Sequence, residues 1–246
     1  MPRPLAIWTT GAPVPTAERA RGSFFDMIVR HTEGVVADGH QAIDSMQIDG
    51  RTAMEGLVSL DVSGVIITGS PAHLRQNEEW MKWTMAALVQ LNHRGVPILG
   101  ICFGHQLLGQ ALGGSVAANP QGREVGTYAL EFHAKDPLLD GLSAEPHVVM
   151  THLDSVIDVP SQAMVIASTS LEKNAAIRFS ERTWGVQFHP EMDAEIVGYY
   201  LTERRDTILA EGIDVDAILS ARRDSLYGRQ LLRKFAGFCA AGGRFE

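Results

Sequence analysis

Two short stretches of the chain carry side chains that could do nucleophilic chemistry together. The first is Ile98-Leu99-Gly100-Ile101-Cys102-Phe103-Gly104-His105-Gln106. A buried apolar run enters Gly-x-Cys-x-Gly, and helical spacing resumes at once with Leu107, Leu108, Ala111 and Leu112. This is the cysteine counterpart of a nucleophile elbow. A sharp strand-to-helix turn strains the central residue, and flanking glycines keep Cβ atoms out of the way. The side chain then stands at the carboxyl edge of the sheet, where open α/β sheets place their sites. The N-terminus of the following helix favours a thiolate over a thiol. The amide of Phe103 points to the same place and could hold an oxyanion.

A thiol nucleophile needs a base, and the base needs a group that orients it. Trp184-Gly185-Val186-Gln187-Phe188-His189-Pro190-Glu191 offers both. Trp184, Val186 and Phe188 alternate with Gly185, Gln187 and His189, as in a strand with His189 at its end. Pro190 stops the ladder. Glu191, two residues on, shares a side with His189 in extended backbone, where its carboxylate could fix the imidazole tautomer. The spacing therefore predicts Cys102, His189 and Glu191 as a triad, with His189 within hydrogen-bond reach of Cys102.

The elements that must position these residues alternate between short apolar runs and amphipathic stretches. Leu5 to Trp8, Val62 to Thr68 and Ile98 to Ile101 read as strands; Ser23 to His31 and Glu78 to Asn92 read as helices. The acids of Glu78-Glu79-Trp80 suit a helix N-terminus. Buried strands alternating with helices predict an α/β fold, a mostly parallel sheet covered on both faces. From Ser115 to Phe188 the pattern changes to strand-like pieces at Thr127–Phe132, His147–Met150, Met164–Ala167 and Ala175–Phe179, expected to extend that sheet. Beyond Glu191 the chain reads as helical, with Ile196, Val197, Tyr200 and Leu201 on one face and Leu231, Leu232, Phe235, Phe238 and Cys239 on another. Cys239 thus falls on a core-facing stripe, as an inert buried thiol. Residues 1–246 are read as one domain, with a core over about 5–191 and a helical C-terminal extension over 192–246.

Composition narrows the classes. Hydrophobic residues make up 45% of 246, and no run is long enough to span a bilayer. Two cysteines make no disulfide framework and point to a reducing, cytoplasmic setting. Twenty-nine acids against 21 Lys and Arg give a net charge of −8 with no basic block, which argues against nucleic-acid binding. There is no His-Glu-x-x-His and no Cys-x-x-Cys, so neither metal nor cofactor is expected.

Gly100-Ile101-Cys102-Phe103-Gly104-His105-Gln106-Leu107-Leu108 and Gly185-Val186-Gln187-Phe188-His189-Pro190-Glu191 resemble the two signature motifs of the class I, or triad, glutamine amidotransferases. Thr68-Gly69-Ser70-Pro71 is similar to the family's Gly-Gly-Pro oxyanion turn, with Ser70 in place of the second glycine. Thr151-His152-Leu153-Asp154-Ser155-Val156 resembles the Ser-His-x-Asp-x-Val segment of the glutaminase domain of GMP synthase. The resemblance implies a flavodoxin-like three-layer α/β sandwich. It implies that Cys102 attacks the side-chain carbonyl of glutamine, that His189 serves ammonia and then water, and that Glu191 orients His189. Gly69, Ser70 and Phe103 would line the oxyanion hole and Gln106 would bind the substrate, while His152 and Asp154 either line the substrate site or a partner surface or only hold a turn. Gln121-Gly122-Arg123-Glu124-Val125-Gly126 stands where the GMP synthase type has a Glu-x-Gly element; Arg123 and Glu124 either touch substrate or pair with each other. His105 is read as packed, solvent-exposed or pointing into the site. No phosphate loop of the Gly-x-x-x-x-Gly-Lys type and no Ser-Gly-Gly-x-Asp-Ser loop occurs, so no synthetase is expected within this chain. Either a separate synthetase subunit would take the ammonia, or the enzyme would act alone as a hydrolase of glutamine or γ-glutamyl peptides. The rival readings are a γ-glutamyl peptidase for glutathione-like compounds and a binding or regulatory protein on the same fold; a homodimer is compatible with either.

Overall fold

The computed structural model describes residues 3–47, 50–224 and 226–245. The chain opens with β1 (Leu5–Thr9), α1 (Pro15–Arg21), α2 (Phe24–Thr32), β2 (His40–Asp44), α3 (Gly50–Val58), β3 (Gly64–Ile67), α4 (Glu79–His93), β4 (Ile98–Ile101) and α5 (Phe103–Ala111). A strand-rich segment follows: β5 (Ser115–Ala118), β6 (Glu124–Ala129), β7 (Glu131–Phe132), β8 (His147–His152), β9 (Asp154–Asp158), β10 (Met164–Ser168), β11 (Ala176–Ser180) and β12 (Thr183–Val186). Among the described residues four helices come last: α6 (Ala194–Glu203), α7 (Arg205–Ala210), α8 (Val215–Ala221) and α9 (Leu226–Ala240).

The main sheet has eight strands in the order β2-β1-β3-β4-β12-β11-β10-β7. From β2 to β12 all neighbours are parallel, and the last three strands add antiparallel. The 2-1-3-4 start is the flavodoxin-like winding, which puts its crevice at the carboxyl ends of β1, β3 and β4.

Alternation within each strand builds the three layers. Leu5, Ile7, Ile66, Leu99, Ile101 and Trp184 face one way and pack against Ile28 of α2 and Leu231 and Phe235 of α9. Ala6, Trp8, Val65, Ile67 and Ile98 face the other way, against Trp80, Leu88 and Leu91 of α4 and Leu107 and Leu108 of α5. A third cluster seats α6 on α1 and on the strands β6 and β8 through Val14, Val125, Val149, Ile196, Val197 and Leu201. Burying each such aliphatic side chain is worth about 2 kcal/mol. Cys239 of α9 lies in the first cluster, 2% exposed, and sits where a Cβ on Gly64 would be.

The middle of the chain departs from the sequence expectation. Only β7, β10, β11 and β12 join the main sheet; β5 pairs with β9, and β6 with β8, as separate antiparallel ribbons. The run expected as one strand from Thr127 to Phe132 is split at Leu130, which is buried and donates its N–H to the Pro146 carbonyl at 2.8 Å. There the chain stops pairing with β8 and turns to β10, a long-range choice that local pattern does not record. The strand expected to run to His189 ends at Val186. The Gln187 N–H still reaches the Ala175 carbonyl at 2.9 Å, but the His189 N–H goes to Val149 on β8 at 2.8 Å. His189 is thereby fixed between the main sheet and the β6/β8 ribbon.

The elbow itself hangs on close approach. A Cβ on Gly104 would collide with the Ile67 carbonyl oxygen, and one on Gly100 would sit 2.6 Å from the Gly104 oxygen. Neither glycine has positive φ; Cys102 does, at φ +49° and ψ −100°. The glycines are needed for space, and the strain falls on the cysteine. Gly104→Ala should cost about 3 kcal/mol, because backbone cannot move aside as a side chain tip can. Urea unfolding checks this; an unchanged midpoint would show that the elbow tolerates a methyl group.

Candidate active site

Cys102 caps α5 between the end of β4 and the first helical turn, 6% exposed. Its N–H is held by the Val186 carbonyl at 2.8 Å, and its carbonyl accepts from Gln106 N at 3.1 Å. Because the Cys102 carbonyl points down the helix, the Phe103 N–H across the same peptide points the opposite way, out of the helix N-terminus. A second donor is aimed by the same logic. The Gly69 carbonyl is held by the hydroxyls of Thr10 at 2.9 Å and Thr68 at 3.1 Å, which turns the Ser70 N–H to the side opposite those hydroxyls. The Ser70 hydroxyl accepts from Ala72 N at 3.1 Å and so tightens the turn in which it replaces glycine.

His189 and Cys102 flank Gly69. A Cβ there would lie 2.7 Å from His189 Cε1 and 3.6 Å from Cys102 Cβ. His189 Nδ1 bonds Glu191 Oε1 at 2.7 Å, and its ring stacks on Phe24 with centroids 6.1 Å apart. Both His189 and Glu191 are buried. Burial works against a charged imidazole here, but the Glu191 carboxylate, and then the Cys102 side chain, outweigh it and raise the His189 pKa to about 10. The backbone carbonyl of Glu191 is in turn held by His31 Nε2 at 3.3 Å.

Two cavities meet at Cys102. A cleft of about 270 Å³ opens over Phe103, Gln106, Leu153, Asp154 and Arg204. A second, of about 20 Å³, lies on the His189 side, lined also by Phe24, Pro71 and Tyr200. In the larger cleft, Gln106 Nε2 donates to the Asp154 carbonyl at 2.7 Å and to Gln187 Oε1 at 3.1 Å, which leaves its own oxygen as an acceptor. The Asp154 carboxylate is met by His73 Nδ1 at 2.6 Å and by Arg75 at 3.3 Å.

His152 lines this cleft, but both of its ring nitrogens are engaged beneath it. Nδ1 faces the Asp154 carbonyl and Nε2 faces Glu124 Oε2, each at 3.0 Å. Arg123 and Glu124 therefore do not pair with each other. Arg123 makes a two-pronged pair with Glu211, at 2.7 and 2.8 Å, while Glu124 is buried and also takes the Thr169 hydroxyl. His105 is fully buried against Phe179 and away from the cleft, and burial, with His152 nearby, pushes its pKa down to about 3. Among the described residues no cluster of three or more His, Cys, Asp or Glu side chains is arranged to hold a metal ion. No helix among them is long and apolar enough to cross a membrane.

A strand running into a strained cysteine, a helix behind it and a buried His–Glu pair beside it form one cysteine-centred site on an α/β fold, and residues 27–205 match the family Glutamine amidotransferase class-I: the chain belongs to that family. Within it, the chain is 34% identical over 148 residues to a GMP synthase [glutamine-hydrolyzing] of Clostridium novyi, and 41% identical over 136 residues to that of Symbiobacterium thermophilum. These matches cover 60% and 53% of this chain but only 28% and 25% of the relatives, so the chain spans about a quarter of the proteins it matches. Among solved structures, a glutamine amidotransferase of Thermotoga maritima aligns with a TM-score of 0.70 at 19% identity, over 95% of this chain and 98% of that one. One from Methylobacillus flagellatus aligns at 0.66 and 19% identity, over 100% and 97%. At that identity they show the shared α/β fold.

The residues that sequence reasoning missed are His73, Arg75, Arg204 and Thr207. They reach the cleft from a loop after β3 and from the start of α7, and no motif marks them. The one local signal was the charge pair Glu203-Arg204 closing an otherwise amphipathic helix.

Proposed function

We propose that Cys102, His189 and Glu191 hydrolyse the γ-amide of glutamine to glutamate and ammonia through a γ-glutamyl thioester. The observation that carries this is the backbone of Cys102, held at φ +49° and ψ −100° at the head of α5 and beside the His189–Glu191 pair. A strained conformation of this kind costs about 1–3 kcal/mol and persists where the surroundings enforce it. Membership of the class I family and 34–41% identity to glutamine-hydrolysing relatives support the same reading.

In this reading the Cys102 thiolate attacks the amide carbonyl carbon, and the carbonyl electrons move to oxygen. The N–H groups of Ser70 and Phe103 receive that oxyanion; one such donor is worth about 3 kcal/mol. The C–N bond breaks as the His189 imidazolium protonates the departing nitrogen. The neutral ring then takes a proton from water, which attacks the thioester and releases glutamate. Glu191 holds Nδ1 so that the other ring nitrogen faces the reacting atoms. In the larger cleft the free Gln106 oxygen accepts from the substrate's α-ammonium, while His152 supports Gln106 through the shared Asp154 carbonyl.

One observation favours glutamine over larger γ-glutamyl peptides. The cavity on the His189 side holds about 20 Å³, room for one water-sized molecule such as ammonia and not for an amino acid. Ammonia leaving there would go to a synthetase that consumes it, in line with the relatives' name, GMP synthase [glutamine-hydrolyzing]. A binding protein on this fold would have no need of the strain at Cys102. The test supplies glutamine, glutathione and γ-glutamyl dipeptides to the purified chain and measures glutamate. Release from glutamine well above release from the peptides is the expected result. Preference for the peptides moves the reading to a γ-glutamyl peptidase, and loss of no activity in Cys102→Ala moves it off this site.

A further inference from the structure

We infer that Arg204 is the carboxylate-recognition residue of the Cys102 site and binds the α-carboxylate of the γ-glutamyl substrate; this deepens the proposed reaction and rests on Cys102 being the reacting atom. Arg204 stands at the junction of α6 and α7, and its side chain lines both cavities that meet at Cys102. Its backbone N–H is fixed to the carbonyls of Thr202 and Tyr200, and its guanidinium lies over the Tyr200 ring, 5.1 Å from the centroid. Tyr200 is itself buried, so the guanidinium rests on a rigid platform.

Among the described residues, the other cations near the cleft are spoken for. Arg123 is doubly bonded to Glu211, and both His73 and Arg75 meet Asp154. Glu203, next in sequence, takes the Thr16 N–H. Arg204 makes no ion pair and no side-chain hydrogen bond among the described residues. A half-buried guanidinium with five donors and no acceptor, in a chain with eight surplus negative charges, calls for an anion from outside. Its planar fork matches a carboxylate.

A γ-glutamyl compound offers two carboxylates, one on the glutamyl α-carbon and one on an amino-acid leaving group. The roughly 20 Å³ on the leaving-group side has no room for the second. The α-carboxylate in the larger cleft then meets Arg204, with the α-ammonium toward the Gln106 oxygen. Two points of opposite charge would fix the amide over Cys102 and select the α-amino acid end.

The test compares glutamine with L-glutaminamide, in which the α-carboxylate is a neutral carboxamide, separating glutamate and its α-amide by chromatography. Arg204→Met keeps the side chain's length over Tyr200, and Arg204→Lys keeps its charge. Arg204→Met should lower kcat/KM for glutamine about tenfold to a hundredfold, mostly through KM, and leave L-glutaminamide nearly unchanged. Arg204→Lys should recover part of the loss. An equal fall for both substrates would show a packing role, and no fall would show no role; either overturns the inference. A leaving-group carboxylate is checked with γ-glutamylglycine against γ-glutamylglycinamide: if Arg204→Met erases only that preference, the α-carboxylate assignment is overturned. Should the wild type turn over none of these, the proposed reaction fails and alkylation decides Arg204 separately. The rate of Cys102 modification by iodoacetate relative to iodoacetamide should fall in Arg204→Met, and an unchanged ratio overturns the assignment. Cys102→Ala provides the blank, since Cys239 is buried.

Discussion

Replacing Cys102 with alanine is expected to abolish glutamate release from glutamine, a loss of about 10⁴-fold or more, because no other group in the cleft can form the thioester. The stability of variants at this position is equally informative. Cys102 is the residue at φ +49° and ψ −100°, a conformation that L side chains avoid and glycine enters freely. In ordinary backbone, glycine is less stable than alanine by about 0.5–1 kcal/mol through chain entropy. Here the order should reverse. Cys102→Gly should be more stable than Cys102→Ala by about 1 kcal/mol, since relief of strain exceeds the entropy loss. Urea unfolding of the two variants measures the difference. If alanine is the more stable, the turn is relaxed and the elbow stores no strain.

The second large effect is expected at Glu191. Its Oε1 holds His189 Nδ1 at 2.7 Å, and its Oε2 has no partner among the described residues. Glu191→Gln preserves the shape and removes the charge. Turning its amide nitrogen toward Nδ1 makes that ring nitrogen an acceptor and leaves the proton on the wrong side, so kcat should fall about 10²- to 10⁴-fold. The pH dependence should move as well. The His189 pKa is raised from 6.5 to about 10, with Glu191 the strongest upward influence against burial. A raised histidine stabilises the folded protein below its unfolded value, and that contribution is lost as pH climbs from about 6.5 through about 10. In the wild type, kcat/KM should therefore stay high through mildly alkaline pH and decline only toward about 10, where His189 loses the proton it gives to ammonia. In Glu191→Gln the decline should begin nearer neutrality. Superimposable profiles would mean that Glu191 does not control His189.

How much of this could be read from the sequence follows from how local each feature is. The elbow is local: β4, Cys102 and the first turn of α5 occupy consecutive residues, and each glycine has a steric reason. His189 and Glu191 are two residues apart, so their pairing was visible too. The parallel start of the sheet was legible because buried strands between amphipathic helices have few topologies open to them. The strand-rich middle was not. The divorce of β6 from β7 at Leu130, and the pairing of His189 N–H with β8, depend on partners some 20 to 40 residues away. The Arg123-Glu124 pair shows the same limit: neighbours in sequence, they bond to Glu211 and His152 instead. Arg204 has no motif at all. Only the packing of α6 against β6 and β8 brings it to the cysteine, and its lack of an ion-pair partner among the described residues is a property of the folded molecule.

The most direct test of the account is capture of the acyl-enzyme. Purified protein is mixed with glutamine, quenched in acid and digested, and the Cys102 peptide is weighed; a parallel sample contains hydroxylamine and is analysed for γ-glutamyl hydroxamate. The expected result is a γ-glutamyl group on Cys102 or, where water clears it too quickly, hydroxamate that is absent in Cys102→Ala. Glutamate released with neither adduct nor hydroxamate, or released equally by Cys102→Ala, would contradict it.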